Sequence, residues 1–228
     1  MINASETGFI FDLDGVLTDT AEYHFRAWER LAHERGWRFT RADNERLRGI
    51  TRMASLEIIL GINGVTLPLS EKEALAARKN VYYLELIQQI NPADLLPGAL
   101  DLLHEAKARG IRIGLGSASK NARQVLGGLG ILSLFEAVGD GYVVGRGKPE
   151  PDLFVWVAGK LGLFTSRCIV FEDARAGVEA GLRGQFAVVG LGLPDQVGMA
   201  HRVRPDLAGA TVDEFLPLLE QVHPSSDA

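Results

Sequence analysis

Phe9-Ile10-Phe11-Asp12-Leu13-Asp14-Gly15 carries more structural information than any other segment of this chain. A short apolar run ending in polar residues reads as a β-strand that delivers side chains to a sheet edge. Alternation sets Asp12 and Asp14 on one side with Leu13 turned away, and Gly15 lets the chain break sharply. Asp and Gly are also common turn residues, so Asp12-Leu13-Asp14-Gly15 alone fits a plain turn equally well.

Similar runs recur downstream: Ile111-Arg112-Ile113-Gly114-Leu115-Gly116-Ser117, Cys168-Ile169-Val170-Phe171-Glu172-Asp173, and the weaker Gln185-Phe186-Ala187-Val188-Val189. Helical segments near 98–109, 121–129, 152–162 and 174–183 separate them, and Gly110 sits where a left-handed helix terminus is expected. Strands alternating with helices build a parallel sheet. From about 20 to 90 the texture changes to helices only. Ala21, Phe25, Trp28, Leu31, Ala32 and Arg35 follow amphipathic spacing, with Thr20 as the N-cap. Thr51 caps a short helix over 52–60, and Ser70-Glu71-Lys72-Glu73 has capping-box spacing before a helix reaching about 90. The expected division is an α/β core of 1–18 plus 96–228 and an all-helical lid of 19–95, with crossings near 18–20 and 92–97. A lid over a sheet suits an enzyme that opens for substrate and excludes water for chemistry.

Composition narrows the function classes. The 228 residues, 46% hydrophobic, supply a packed core, which excludes a largely disordered chain. A net charge of −5 argues against nucleic-acid or membrane-surface partners, whose footprint is basic. The single cysteine, Cys168, leaves no intramolecular disulfide and no thiolate cluster for zinc. The first six residues lack a basic, then apolar, leader pattern, and no apolar run nears the ~20 residues of a membrane span. A soluble cytoplasmic protein is the expectation, with a polar tail from His223 expected to be disordered.

Three further signals fall at strand ends or just after them: Ser117 with Ala118-Ser119-Lys120-Asn121, then Lys148-Pro149, then Glu172-Asp173. Each has a plain alternative: a helix cap for Ser119, a solvated charge for Lys148, an acidic helix start for Glu172-Asp173. Together they bring four carboxylates, a hydroxyl and an amine to one crevice, where open parallel sheets bind ligands. Carboxylates crowded without counter-charge repel or take up protons, and a divalent cation resolves this. Oxygen-only ligands favour Mg²⁺ over zinc.

Asp12-Leu13-Asp14-Gly15-Val16, Ser117 at the end of the second strand, Lys148-Pro149 and Glu172-Asp173 resemble the four motifs of the haloacid dehalogenase superfamily. The resemblance implies a doubly wound, Rossmann-like α/β parallel sheet with an inserted all-helical cap domain. It makes Asp12 a nucleophile that becomes an aspartyl phosphate, and Asp14 the general acid and base. An Asp two residues after the first places the chain with the phosphatase and phosphomutase branches. Mg²⁺ held by Asp12, the Asp14 carbonyl, and Glu172 or Asp173 would offset repulsion between carboxylate and phosphate. Lys148 and Ser117 would bind the equatorial phosphoryl oxygens.

Within the superfamily, Thr20 to Trp28 is similar to the first lid helix of β-phosphoglucomutases, and Gly49-Ile50-Thr51-Arg52-Met53-Ala54-Ser55 to their substrate loop. Arg78-Lys79-Asn80, Pro92-Ala93-Asp94 and Ser117 to Asn121 match too. That likeness implies Arg52 on the phosphate not being transferred, with two parallel hydrogen bonds. It places Ser119, Lys120 and Asn121 on the same phosphate or on sugar hydroxyls, Gly49 and Ile50 beside the sugar, and Trp28 in the substrate pocket. His24 and Lys79 become partners in closing the lid and placing Asp14, although His24 at four residues from Trp28 also fits simple packing. The implied reaction interconverts β-glucose 1-phosphate and glucose 6-phosphate through β-glucose 1,6-bisphosphate, with a sugar phosphate as the only partner and a monomer sufficient. Alternatives are a sugar-phosphate phosphatase, a phospho-switch of the receiver type, and a regulatory binder without catalysis. The glycine-rich Gly139 to Gly147 departs from the family pattern, and Arg146 there either adds charge to the site or faces water.

Overall fold

The computed structural model describes residues 4–47 and 49–224, so most of the polar tail lies outside the described residues. Strand β1 (Gly8–Phe11) leads into four helices, α1 (Ala21–Glu34), α2 (Arg41–Glu45), α3 (Arg52–Ile62) and α4 (Leu69–Ile87). The chain then alternates through α5 (Ala99–Ala108), β2 (Arg112–Gly116), α6 (Ala122–Gly128), β3 (Ala137–Gly139) and α7 (Asp152–Lys160). It continues with β4 (Cys168–Glu172), α8 (Arg175–Arg183), β5 (Ala187–Leu191), α9 (Pro194–Val197) and β6 (Arg202–Arg204). Two short helices, α10 (Val212–Phe215) and α11 (Pro217–Val222), complete it.

All six strands pair in parallel in the order β3-β2-β1-β4-β5-β6, with Phe9 level with Ile113 on one side and Ile169 on the other. This is the doubly wound order. The chain winds outward from β1 through β2 to β3, then crosses back to β4 and winds out the other way, so a crevice opens at the carboxyl ends of β1 and β4. Period-two alternation splits each central strand between two cores. Phe9, Phe11, Ile169, Phe171 and Val189 face one, while Ile10, Cys168, Val170 and Val188 face the other with Phe154 and Val157 of α7. Phe11 stacks on Phe171 at 4.6 Å between centroids, and Phe215 closes on Phe171 edge-on at 5.0 Å. Each such buried ring contributes about 1.5–3 kcal/mol, which anchors the strands that carry the crevice.

The lid is held by its own apolar seam. Trp28 and Leu31 of α1 are buried against α4, which contributes Leu75, Ala76 and Tyr83. Its two crossings run side by side: the Leu96 amide donates to the Leu17 carbonyl (2.9 Å), and the Thr18 hydroxyl to the Asp94 carbonyl (2.8 Å). Among the described residues no helix is long and apolar enough to cross a membrane.

Several expectations need correction. Ser70 does not cap α4, which starts at Leu69; the Pro68 carbonyl already accepts the Glu71 and Lys72 amides. The Thr20 side chain caps nothing, because its hydroxyl is turned onto the Asp14 carboxylate, and Asp19 accepts the Ala21 amide instead. The fifth strand begins at Ala187 because Gln185 turns the chain with φ 59°. Thr51 caps α3 as expected, and Gly110 has φ 77°. Strands β3 and β6 and helix α2 were not anticipated.

Candidate active site

The crevice floor is built from the ends of β1 and β4. Asp12 follows β1 directly, its amide donating to the Phe171 carbonyl at 2.9 Å, so the sheet ladder itself fixes its height. Lys148 reaches in from the loop before α7 and is buried, with its Nζ 2.6 Å from Asp12 Oδ1 and 2.5 Å from Glu172 Oε1. Burial disfavours the ammonium, but Asp12 and Glu172 more than offset this and raise its pKa. Lys148 is therefore no solvated loop charge. Ser117 is equally buried, and its hydroxyl accepts the Ser119 amide at 3.1 Å, leaving its own proton to donate.

Asp12, Glu172 and Asp173 offer carboxylate oxygens within 4.8 Å of one another, a set of hard donors that fits a magnesium-type cation. The three differ in availability. Both Glu172 oxygens already accept hydrogen bonds, from Lys148 and from the Ala174 amide at 2.8 Å. The side chain of Asp14 stands outside this set. Two glycines allow the acidic pair to sit where it does. A Cβ on Gly15, whose φ is 78°, would lie 2.0 Å from Asp173 Oδ2, and one on Gly177 would lie 1.7 Å from Glu172 Oε1.

Asp14 is held from the lid side by Thr20, whose hydroxyl donates to its carboxylate and in turn accepts from Tyr83 Oη at 3.2 Å. Desolvation in the cavity, then the charge of Asp12, push its pKa up to about 6. A carboxyl poised there exchanges protons near neutrality, as general acid–base work requires.

One cavity of about 790 Å³, counting its open mouth, joins floor and lid. It is lined by Asp12, Asp14, Ser117 and Asp173 below, with His24, Trp28, Gly49, Ile50, Arg52, Lys79, Ser119 and Lys120 around it. Lys79 is buried, 2.7 Å from His24 Nδ1 and within 5.0 Å of the Trp28 and Tyr83 ring centroids. His24 stacks on Tyr83 at 4.2 Å, so it both packs and faces the cavity. Burial first, then Lys79 and Arg52, depress the His24 pKa well below its usual value, and burial likewise depresses that of Lys79.

Asn121 is not on the cavity wall: its Nδ2 donates to Asn80 Oδ1 at 2.8 Å and ties core to lid. Lys148 and Glu172 lie beneath the wall. Arg146 faces water, 70% exposed, paired with Asp152 at 2.7 Å. Asn44, Leu47 and Ser55 line the cavity without having been anticipated. Ser55 had a signal of its own, as the last residue of the substrate-loop motif. The Thr40–Asp43 capping box that sets α2, and with it Asn44, was readable from its spacing.

Comparison with known proteins gives a consistent picture. The chain is 47% identical over 189 residues to the beta-phosphoglucomutase of Bacillus subtilis, covering 81% of this chain and 84% of that protein. A phosphorylated carbohydrates phosphatase from Thermotoga maritima is 29% identical over 174 residues, covering 75% and 78%. A crystal structure of beta-phosphoglucomutase from Clostridium difficile superposes with a TM-score of 0.91 at 39% identity, covering 97% of this chain and 98% of that one. The haloacid dehalogenase-like hydrolase profile matches residues 7–184, a span that begins just before β1 and ends just after α8. With the profile and the crevice coinciding, the chain belongs to the haloacid dehalogenase-like hydrolase family.

Proposed function

We propose that the chain is a phosphomutase that interconverts β-D-glucose 1-phosphate and D-glucose 6-phosphate. The observation that carries this reading is the charge layout of one cavity. Asp12, Asp14 and Asp173 gather on its floor, while Arg52 and Lys120 line it with no carboxylate partner among the described residues. Cations without a carboxylate beside them are costly to desolvate unless an anion completes them. The cations of the wall supply a place for a second phosphate while the first reacts at Asp12. The 47% identity to a named beta-phosphoglucomutase supports the same reading.

In the proposed cycle, Asp12 carries a phosphoryl group, and the 6-hydroxyl of β-glucose 1-phosphate attacks its phosphorus. The oxygen–phosphorus bond forms as the Asp12–phosphorus bond breaks, and Asp14 takes the hydroxyl proton. The resulting β-glucose 1,6-bisphosphate turns, so that its 1-phosphate meets Asp12 and its 6-phosphate meets Arg52 and Lys120. Asp12 then attacks the 1-phosphate, Asp14 returns the proton to the leaving oxygen, and glucose 6-phosphate departs. Ser117 and Lys148 donate to the phosphoryl oxygens, where charge concentrates. Asp12, Asp173 and the main chain at Asp14 would hold Mg²⁺, which would neutralise charge between carboxylate and phosphate. Glu172 serves by holding Lys148. Residues 19–95 are the moving lid that keeps water from phospho-Asp12. Each chain carries a whole site, so a monomer suffices.

Purified protein with Mg²⁺, β-glucose 1-phosphate and a trace of glucose 1,6-bisphosphate tests this reading. Glucose 6-phosphate, followed by a coupled dehydrogenase, should form with little inorganic phosphate. Steady phosphate release without isomerisation would move the chain to the sugar-phosphate phosphatases. The role given to Glu172 predicts a second result. A helical Gly→Ala change ordinarily gains up to about 1 kcal/mol. Gly177→Ala instead drives its methyl group into the Glu172 carboxylate and shifts Lys148 with it. A displacement of ~1 Å costs on the order of 100-fold in rate. We expect kcat to fall by at least about 10-fold on that basis, with helix content unchanged by circular dichroism; an unchanged kcat would leave Glu172 without a role in placing Lys148.

A further inference from the structure

In the loop between β3 and α7, Lys148 serves the proposed cycle, while the glycine-rich stretch before it has no task there. It begins beside the phosphate-side loop: the Gly141 amide donates to the Ser119 carbonyl at 3.3 Å. A Cβ on Gly141 would stand 2.6 Å from the Ala118 carbonyl and 2.9 Å from Lys120 Cγ, so a glycine there lets the two loops touch. At its far end the loop meets the lid, since a Cβ on Gly147 would lie 2.7 Å from Thr51 Cγ2, next to Arg52. Between these contacts stands Tyr142, 70% exposed, its amide fixed to Asp140 Oδ1 at 3.0 Å.

The Tyr142 ring has a specific neighbour. Lys120 Nζ sits 4.6 Å from its centroid, at cation–π distance. Arg52 stands across the core–lid boundary, next to the Thr51 that the far end of the loop meets. Lys120 and Arg52 both line the cavity, one from the core and one from the lid. Two like charges aimed at one ligand repel until the ligand arrives, and an electron-rich ring beside them lowers that cost.

We propose that Tyr142 is a positioning residue for the phosphate that is not being transferred, holding the Lys120 ammonium on its ring and setting it opposite Arg52. This rests on the mutase reading, and it assigns the glycine-rich loop to recognition of the second phosphate. Phosphorylation of Asp12 by a donor with a single phosphate does not use this contact. Tyr142 is exposed, so its replacement leaves the core intact.

The test compares parent, Tyr142→Ala and Tyr142→Phe in two reactions. The first is the mutase assay; the second is phosphorylation of Asp12 by acetyl phosphate, followed by intact-protein mass. Tyr142→Ala should raise the KM for β-glucose 1-phosphate about fivefold, the size of a partly exposed cation–π contact. Its rate with acetyl phosphate should stay within about twofold, and Tyr142→Phe, which keeps the ring, should restore KM to within about twofold of the parent. A KM unchanged in Tyr142→Ala overturns the proposal, as does an equal loss in both reactions. A parent that is phosphorylated by acetyl phosphate but forms no glucose 6-phosphate overturns the mutase reading, and the proposal with it.

Discussion

Asp12→Asn is expected to lower kcat by on the order of 10⁴-fold or more, the usual cost of removing a nucleophile. The amide keeps the shape and its oxygen still accepts from Lys148, which bonds Asp12 at 2.6 Å in the parent. What disappears is the anionic oxygen that bonds to phosphorus and the charge that a cation at Asp12 and Asp173 requires. The measurement pairs steady-state turnover with intact mass after incubation with acetyl phosphate. The parent should gain one phosphoryl group and the variant none. A variant that still gains it, or turns over within about tenfold of the parent, would remove Asp12 from the nucleophile role.

Lys148→Met should produce the largest loss of stability. Its ammonium lies between two buried carboxylates, Asp12 and Glu172, with the Phe154 ring 4.7 Å away. Removing one partner of a buried ion pair costs about 3–5 kcal/mol, because the remaining charge stays dry and unpaired. Urea unfolding without added metal should show a deficit of this order, together with loss of turnover. The deficit has a defined pH sign. Burial already pushes the Glu172 pKa up to about 7 although Lys148 pulls it down, so losing Lys148 raises it further. A carboxyl whose folded pKa is raised favours the folded state at low pH and loses that contribution as pH rises through the folded value. The variant should thus approach the parent below about pH 5, where Glu172 is protonated, and fall furthest behind above neutrality. Adding Glu172→Leu should return part of the loss, and a double variant no more stable than Lys148→Met would deny the coupling.

Much of this molecule was legible because its chemistry sits at the ends of its strongest strands. Phe9–Phe11 and Cys168–Phe171 are continuous apolar runs buried on both faces, and the carboxylates that end them could hardly be misplaced. The missed strands are edge strands of three residues. Arg202-Val203-Arg204 is half-buried throughout, and both its arginines pair with Glu214, which reads as loop chemistry. Thr20 and Ser70 show the limit of local rules. Each has a capping side chain at a helix start, yet Thr20 is drawn to a carboxylate six residues earlier in the chain, and Pro68 pre-empts Ser70. Asn44 and Leu47 reach the cavity through the folding of the lid alone, with no chemical signature in sequence. Asn121 is the reverse case: the resemblance sets it beside the substrate, and tertiary packing turns it to Asn80.

The lone thiol gives the molecule a built-in stopwatch. Cys168 opens β4, is completely buried, and has its pKa pushed up to about 12 by that burial. Thiolate, not thiol, reacts with alkylating reagents, so the folded protein is shielded twice, by access and by protonation. Labelling must wait for the central strand to come apart. Its rate therefore times the opening of the innermost sheet, one event per molecule, with no dye, tag or substitution introduced.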